Sequence, residues 1–177
     1  MASAELNESD LRAWAGVLGR VALQEGIFVA LYGPLGAGKT TLVQGACEGA
    51  GVVEPVLSPS YTLVHRYATP RGPIFHVDLY RLSSSSELPE IGWDDLLLED
   101  APVFVEWADR AGADLPSDRW DVRLVIVRKG EARRVEAEAV GAAPPVPGWV
   151  DDLAAELRDA AGSEFPLTPT PDATGTP

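Results

Sequence analysis

IFVALYGPLGAGKTT, residues 27–41, changes character twice over its length. Its first six residues form a continuous apolar run, the mark of a strand buried on both faces. Gly33, Pro34, Leu35, Gly36, Ala37, Gly38, Lys39 and Thr40 then match G-x-x-x-x-G-K-[ST] at every fixed position. Gly33, Gly36 and Gly38 let the backbone turn with no Cβ in the way, so that successive N–H groups converge on an anion. A helix expected over about residues 40–48 aims the positive end of its dipole at the same point. Lys39 adds a point charge for β- and γ-phosphates, and the Thr40 hydroxyl is a ligand for Mg²⁺. Strand, glycine turn and helix in this order predict a loop that binds a nucleoside triphosphate, read as ATP with Mg²⁺. The corresponding fold is the three-layer α/β P-loop NTPase fold, with a mixed, mainly parallel sheet and an antiparallel hairpin near the C-terminus.

Upstream, Leu11, Trp14, Ala15, Leu18, Val21 and Ala22 follow helical spacing and predict an amphipathic helix over residues 8–25, capped by Ser9 or Asp10 and stopped at Gly26. Downstream, residues 61–67 and 74–78 read as strands separated by the turn residues 69–72, and a helix is expected near residues 93–98. Residues 103–107 read as a short strand entered through Pro102, and residues 121–128 and 133–140 as an antiparallel hairpin around Lys129 and Gly130. A short helix is expected over residues 150–161. Residues 162–177 hold four prolines and four threonines and read as a disordered tail, which leaves residues 1–161 as the folded domain.

A phosphate loop needs acids to complete a metal site, and α/β sheets place ligands at the C-terminal ends of their strands. Asp78 ends PIFHVD and Glu106 ends PVFVE, so both are candidates. Ser58, Ser60, Tyr61 and Thr62 bring hydroxyls to a segment that by itself reads as a turn entering a strand, at a place where loops of P-loop proteins often sense a γ-phosphate. His76 shares a strand face with Asp78 and reads as a core histidine; Trp107 and Cys47 read by themselves as core residues. Cys47 is the single cysteine, which predicts no disulfide, no disulfide-linked partner and a reducing, cytoplasmic setting. No apolar run is long enough to span a membrane, and the N-terminus lacks the pattern of a secretory signal.

The segments GPLGAGKTT (33–41), SPSYTLVHRY (58–67), HVDLYRL (76–82), IGWDDLL (91–97) and VEWADR (105–110) occur in this order. That series resembles the TsaE (YjeE) family of bacterial ATPases over roughly residues 8–140. Members take part in making threonylcarbamoyl adenosine at position 37 of tRNAs that read codons beginning with A. The resemblance implies that residues 33–41, through Thr41, cradle ATP, with Thr40 and Glu106 as Mg²⁺ ligands. It makes Asp78 the Walker-B-like acid needed for hydrolysis and part of the metal site, with Lys39 and Glu106 as the other catalytic residues, Trp107 a functional residue of the nucleotide site, and residues 58–62 a switch loop. It brings the helix start near Ser9 toward the adenine. Pro34 stands where the family usually has Asp or Asn, and Ser60 where it usually has Thr. The implied partners are the transferase TsaD and its companion TsaB, whose complex the ATP cycle resets.

The net charge of −13 disfavours direct approach to a polyanion. Arg119, Arg123, Arg128, Lys129, Arg133 and Arg134 alternate with Asp118, Asp121, Glu131 and Glu136, so this stretch reads as a solvated hairpin face and tRNA is expected to be reached only through partners. Two other function classes are open to a P-loop protein. A small-molecule kinase would carry an arginine-bearing lid, and an assembly factor would use nucleotide as a gate with incidental hydrolysis.

Overall fold

The structure, a computed structural model, describes residues 2–148. The helix expected over residues 150–161 and the proline-rich tail lie outside the described residues. The chain runs through β1 (Ala2–Leu6), α1 (Glu8–Glu25), β2 (Phe28–Tyr32), α2 (Lys39–Gly49), β3 (Val64–Thr69) and β4 (Gly72–Asp78). A 3₁₀ segment, Ser85–Ile91, and α3 (Trp93–Leu98) lead to β5 (Val103–Glu106), then to the hairpin of β6 (Arg119–Val127) and β7 (Ala132–Val140).

The strands form one seven-stranded sheet in the order β1-β7-β6-β2-β5-β4-β3. β6, β2, β5 and β4 pair in parallel, whereas β3, β7 and β1 join their neighbours antiparallel. The sheet is therefore mixed, with most strands pointing one way. β1 is an element that the sequence reading left out: ASAEL has little strand character alone and gains its ladder by pairing with β7.

Apolar residues cover both faces, as parallel central strands require. Val29, Leu31, Phe104, Trp120, Val122 and Leu124 face α1 and α2. Phe28, Ala30, Phe75, Val77, Val103 and Val105 face the segment carrying Leu88, Trp93 and Leu96. Cys47 is buried as expected, and burial pushes its thiol up to about 12.

Several local expectations are corrected. α1 is capped by Asn7, whose side-chain oxygen accepts from the Asp10 amide at 2.9 Å, because the helix begins at Glu8; Ser9 and Asp10 lie inside its first turn. β3 starts at Val64, since the Leu63 amide donates to the Pro59 carbonyl and Leu63 takes a left-handed φ of 63°, which closes a turn over residues 59–63. The β6–β7 hairpin forms where expected, and its connection is a 3₁₀ turn, Arg128–Gly130.

α1 and α2 touch backbone to backbone along Gly16, Gly19, Gly45 and Gly49. A Cβ on Gly19 would overlap the Ala46 carbonyl, whereas one on Gly16 would reach only ordinary contact, 3.6 Å from the Gly45 carbonyl oxygen. The same substitution on one helix thus has opposite consequences. Gly16→Ala should stabilise the fold by about 0.5–1 kcal/mol through helix propensity. Gly19→Ala should cost about 1–3 kcal/mol through overpacking. Urea denaturation of both variants checks the pair, and equal effects would contradict the packing described.

Candidate functional site

The loop after β2 is shaped by close approach to β6. A Cβ on Gly33 (φ 139°) would overlap the Leu124 carbonyl, so only glycine fits there. Gly38 (φ 101°) precedes α2, and Lys39 is the first residue of that helix. The Lys39 side chain is only 4% exposed. Its Nζ donates to the Gly33 carbonyl at 2.7 Å and the Pro34 carbonyl at 3.0 Å, and lies 3.7 Å from the centre of the Trp107 ring. Burial lowers the pKa of its ammonium below the usual lysine value, against the opposing pull of Glu106, Asp78 and Asp109. Exchange of the two carbonyls for an anion would favour the charged form.

The acids arrive through strand register. β4 and β5 pair in parallel with Asp78 opposite Glu106. Oε1 of Glu106 accepts from Thr40 Oγ1 at 2.8 Å and lies 2.9 Å from Nε2 of the fully buried His76. Oδ2 of Asp78 accepts from Ser58 Oγ at 2.9 Å and Ser60 Oγ at 3.2 Å, and its Oδ1 accepts from the Tyr80 amide at 3.0 Å. Asp78 therefore ties the 58–60 loop to the sheet.

Lys39, Thr40, Ser58, Ser60, Asp78 and Glu106 line one cleft of about 440 Å³ with the loop residues Leu35, Gly36, Ala37, Gly38 and Thr41, whereas His76 lies outside its lining. Gly33 and Pro34 contribute through the carbonyls that hold Lys39. Trp107, with a left-handed φ of 59°, borders the cleft and meets Tyr80 at 4.9 Å between ring centres, so it is more than core filling. Ser9 is exposed on the first turn of α1 and is not among the residues lining the cleft. Tyr61 is exposed, with the Arg81 guanidinium 4.4 Å from its ring centre, and Thr62 is exposed beside it.

His76 is buried as expected, and its Nε2 touches the same carboxylate oxygen that Thr40 touches. Arg133 departs further from the expectation of a solvated hairpin face. It lines the cleft, and its Nε donates to the Ala37 carbonyl at 2.9 Å. Alternating charge in the linear sequence carried no sign of this, because the contact spans β7 and the loop after β2. Arg81 stands within HVDLYRL, where its own neighbours assign it no task, and it too lines the cleft.

The residues present suit a hard divalent cation shared with phosphate. Thr40, Asp78 and Glu106 offer oxygen ligands only, and among the described residues no group of three or more His, Cys, Asp or Glu forms a closed protein cage. One or two carboxylates with open positions for phosphate and water is the pattern that Mg²⁺ favours. Among the described residues no helix is long and apolar enough to cross a membrane.

The chain is similar to known proteins in both sequence and structure. The family model described as "Threonylcarbamoyl adenosine biosynthesis protein TsaE" matches residues 6–135. The tRNA threonylcarbamoyladenosine biosynthesis protein TsaE of Haemophilus influenzae is 37% identical over 125 residues, covering 71% of this chain and 78% of that one. The protein of the same name from Nostoc sp. is 42% identical over 98 residues, and this alignment covers 54% of the present chain and 60% of the Nostoc protein. Among solved structures, the crystal structure of Bacillus subtilus YdiB matches with a TM-score of 0.61 and 25% identity over 90% of this chain and 95% of that one. With the family model spanning the loop, both acids and most of the sheet, this chain belongs to the TsaE family.

Proposed function

We propose that this chain is a P-loop NTPase that hydrolyses ATP with Mg²⁺ in support of tRNA threonylcarbamoyladenosine biosynthesis. The observation that carries the reading is the convergence of the Gly33–Thr41 loop with Asp78 and Glu106, joined by the bond from Thr40 to Glu106. The family supplies the pathway. TsaD and TsaB are the partners proposed from the family resemblance, with ATP turnover resetting their complex.

In this reading the loop amides and Lys39 bind the phosphates and fix the reacting end of ATP. Thr40, Glu106 and Asp78 would hold Mg²⁺, whose charge when bound neutralises phosphate oxygens and the leaving group. Trp107 and Tyr80 wall one side of the cleft, and Asp78 with the Ser58 and Ser60 hydroxyls forms the polar cluster available to orient the attacking water. Positioning and charge stabilisation account for catalysis of this kind. A kinase is disfavoured because the segment between β4 and β5 contains one basic residue, Arg81, too few for an arginine-bearing lid.

Lys39→Ala removes the buried cation of the loop. ATP at ~100 times its Kd should stabilise the wild type by ~2.7 kcal/mol. The variant should lose most of that thermal shift, and an undiminished shift would sink the loop assignment. Asp78→Asn and Glu106→Gln keep size and remove charge. At least one should still bind ATP while hydrolysing it ~100-fold more slowly, as expected for a group that acts on transition-state charge. Wild-type rates in both variants would place the metal site elsewhere.

Approach to RNA should be weak without partners. A titration of the chain with unmodified tRNA at ~150 mM salt should give a Kd no tighter than the ~10⁻⁴–10⁻⁶ M of non-specific binders. Submicromolar binding would show that Arg81, Arg133 and their neighbours build a real RNA surface despite the net charge of −13.

A further inference from the structure

We propose that His76 is a positioning residue for Glu106, fixing the carboxylate for Mg²⁺ independently of the loop that carries Thr40. The inference rests on the reading of the cleft as an ATP–Mg²⁺ site. Glu106 has two donors on one oxygen, Oε1: the Thr40 hydroxyl at 2.8 Å and His76 Nε2 at 2.9 Å. Oε2 is committed to neither. The two donors differ in kind. Thr40 sits on the anion-binding loop and is itself a candidate ligand, so its hydroxyl has a second task. His76 sits within β4, fully buried, with its backbone held in register between Val64–Thr69 and Val103–Glu106.

The burial of His76 argues against a packing role alone. Its other ring nitrogen, Nδ1, is buried with no hydrogen-bond partner among the described residues. An unpartnered buried polar atom is a cost that an aliphatic side chain would avoid. With Nε2 as the donor to Glu106, the ring leaves only a bare lone pair at Nδ1, the smaller of the two penalties that the site permits. What the imidazole provides in return is a rigid donor aimed at Oε1 from beneath the cleft. Outer residues that orient ligating carboxylates commonly change metal affinity by ~10–100-fold when removed.

The test uses the full chain and follows ATP-induced thermal stabilisation as Mg²⁺ is titrated, so that binding and not turnover is read. His76→Gln retains a donor with reach similar to Nε2; His76→Asn is polar but shorter; His76→Leu removes the donor. Wild type and His76→Gln should reach half-maximal Mg²⁺ response at similar concentrations. His76→Leu and His76→Asn should need at least ~10-fold more Mg²⁺, while keeping the stabilisation that ATP gives in EDTA. If His76→Leu does not fold, the contrast between Gln and Asn decides. Equal Mg²⁺ requirements in all folded variants would overturn the positioning role. A wild type stabilised by ATP but indifferent to Mg²⁺ would overturn the reading of the cleft as an ATP–Mg²⁺ site, and this inference with it; a wild type with no response to ATP at all would overturn the nucleotide reading itself.

Discussion

Strand register is the constraint from which the site follows. Leu31 stands opposite Glu106 on β2 and β5, and Glu106 stands opposite Asp78 on β5 and β4. Side chains alternate along a strand, so Ile74, His76 and Asp78 share one face, as do Phe104 and Glu106. That is the face on which Val29, Leu31, Ile74 and Phe104 pack beneath the α1–α2 layer. Burial of those apolar residues therefore aims both carboxylates toward the start of α2, where Thr40 meets Glu106. A slip of one residue would present Val77 and Val105 to the loop and bury both acids against α3. Core formation and site formation are one event here.

The electrostatics are local and opposed to the bulk charge. The chain carries −13, yet its cleft gathers Lys39, Arg81 and Arg133 around two carboxylates. Lys39 is held by two carbonyls and an aromatic face rather than by a direct ion pair, so its charge stays available for exchange of partners. Arg133 works on backbone instead, holding the Ala37 carbonyl from the far hairpin. A small anion that fits the cleft meets this local field, whereas a long polyanion meets the whole surface.

What the sequence disclosed was what short-range chemistry determines. The glycine loop, the strand before it, the helix after it and the acids at two strand ends were readable, because each is set by its own neighbours in the chain. β1, the glycine contact between α1 and α2, the link from His76 to Glu106 and the grip of Arg133 were not. Each depends on which elements become neighbours: Ala2 pairs with Ala137, Gly19 meets Ala46, and Arg133 reaches a loop almost a hundred positions away. The Ser9 expectation came from the family resemblance; Ser9 is exposed on the first turn of α1, which is not among the elements that line the cleft although its Leu11 lies against Gly38 of the loop.

The most direct measurement is the rate of phosphate release from ATP by the purified chain, alone and with TsaD, TsaB and unmodified tRNA, in Mg²⁺ and in EDTA. Slow, Mg²⁺-dependent hydrolysis by the chain alone is expected, with a rate that rises when the proposed partners are present. No hydrolysis under any of these conditions, or a rate indifferent to both Mg²⁺ and the partners, would contradict the proposed function.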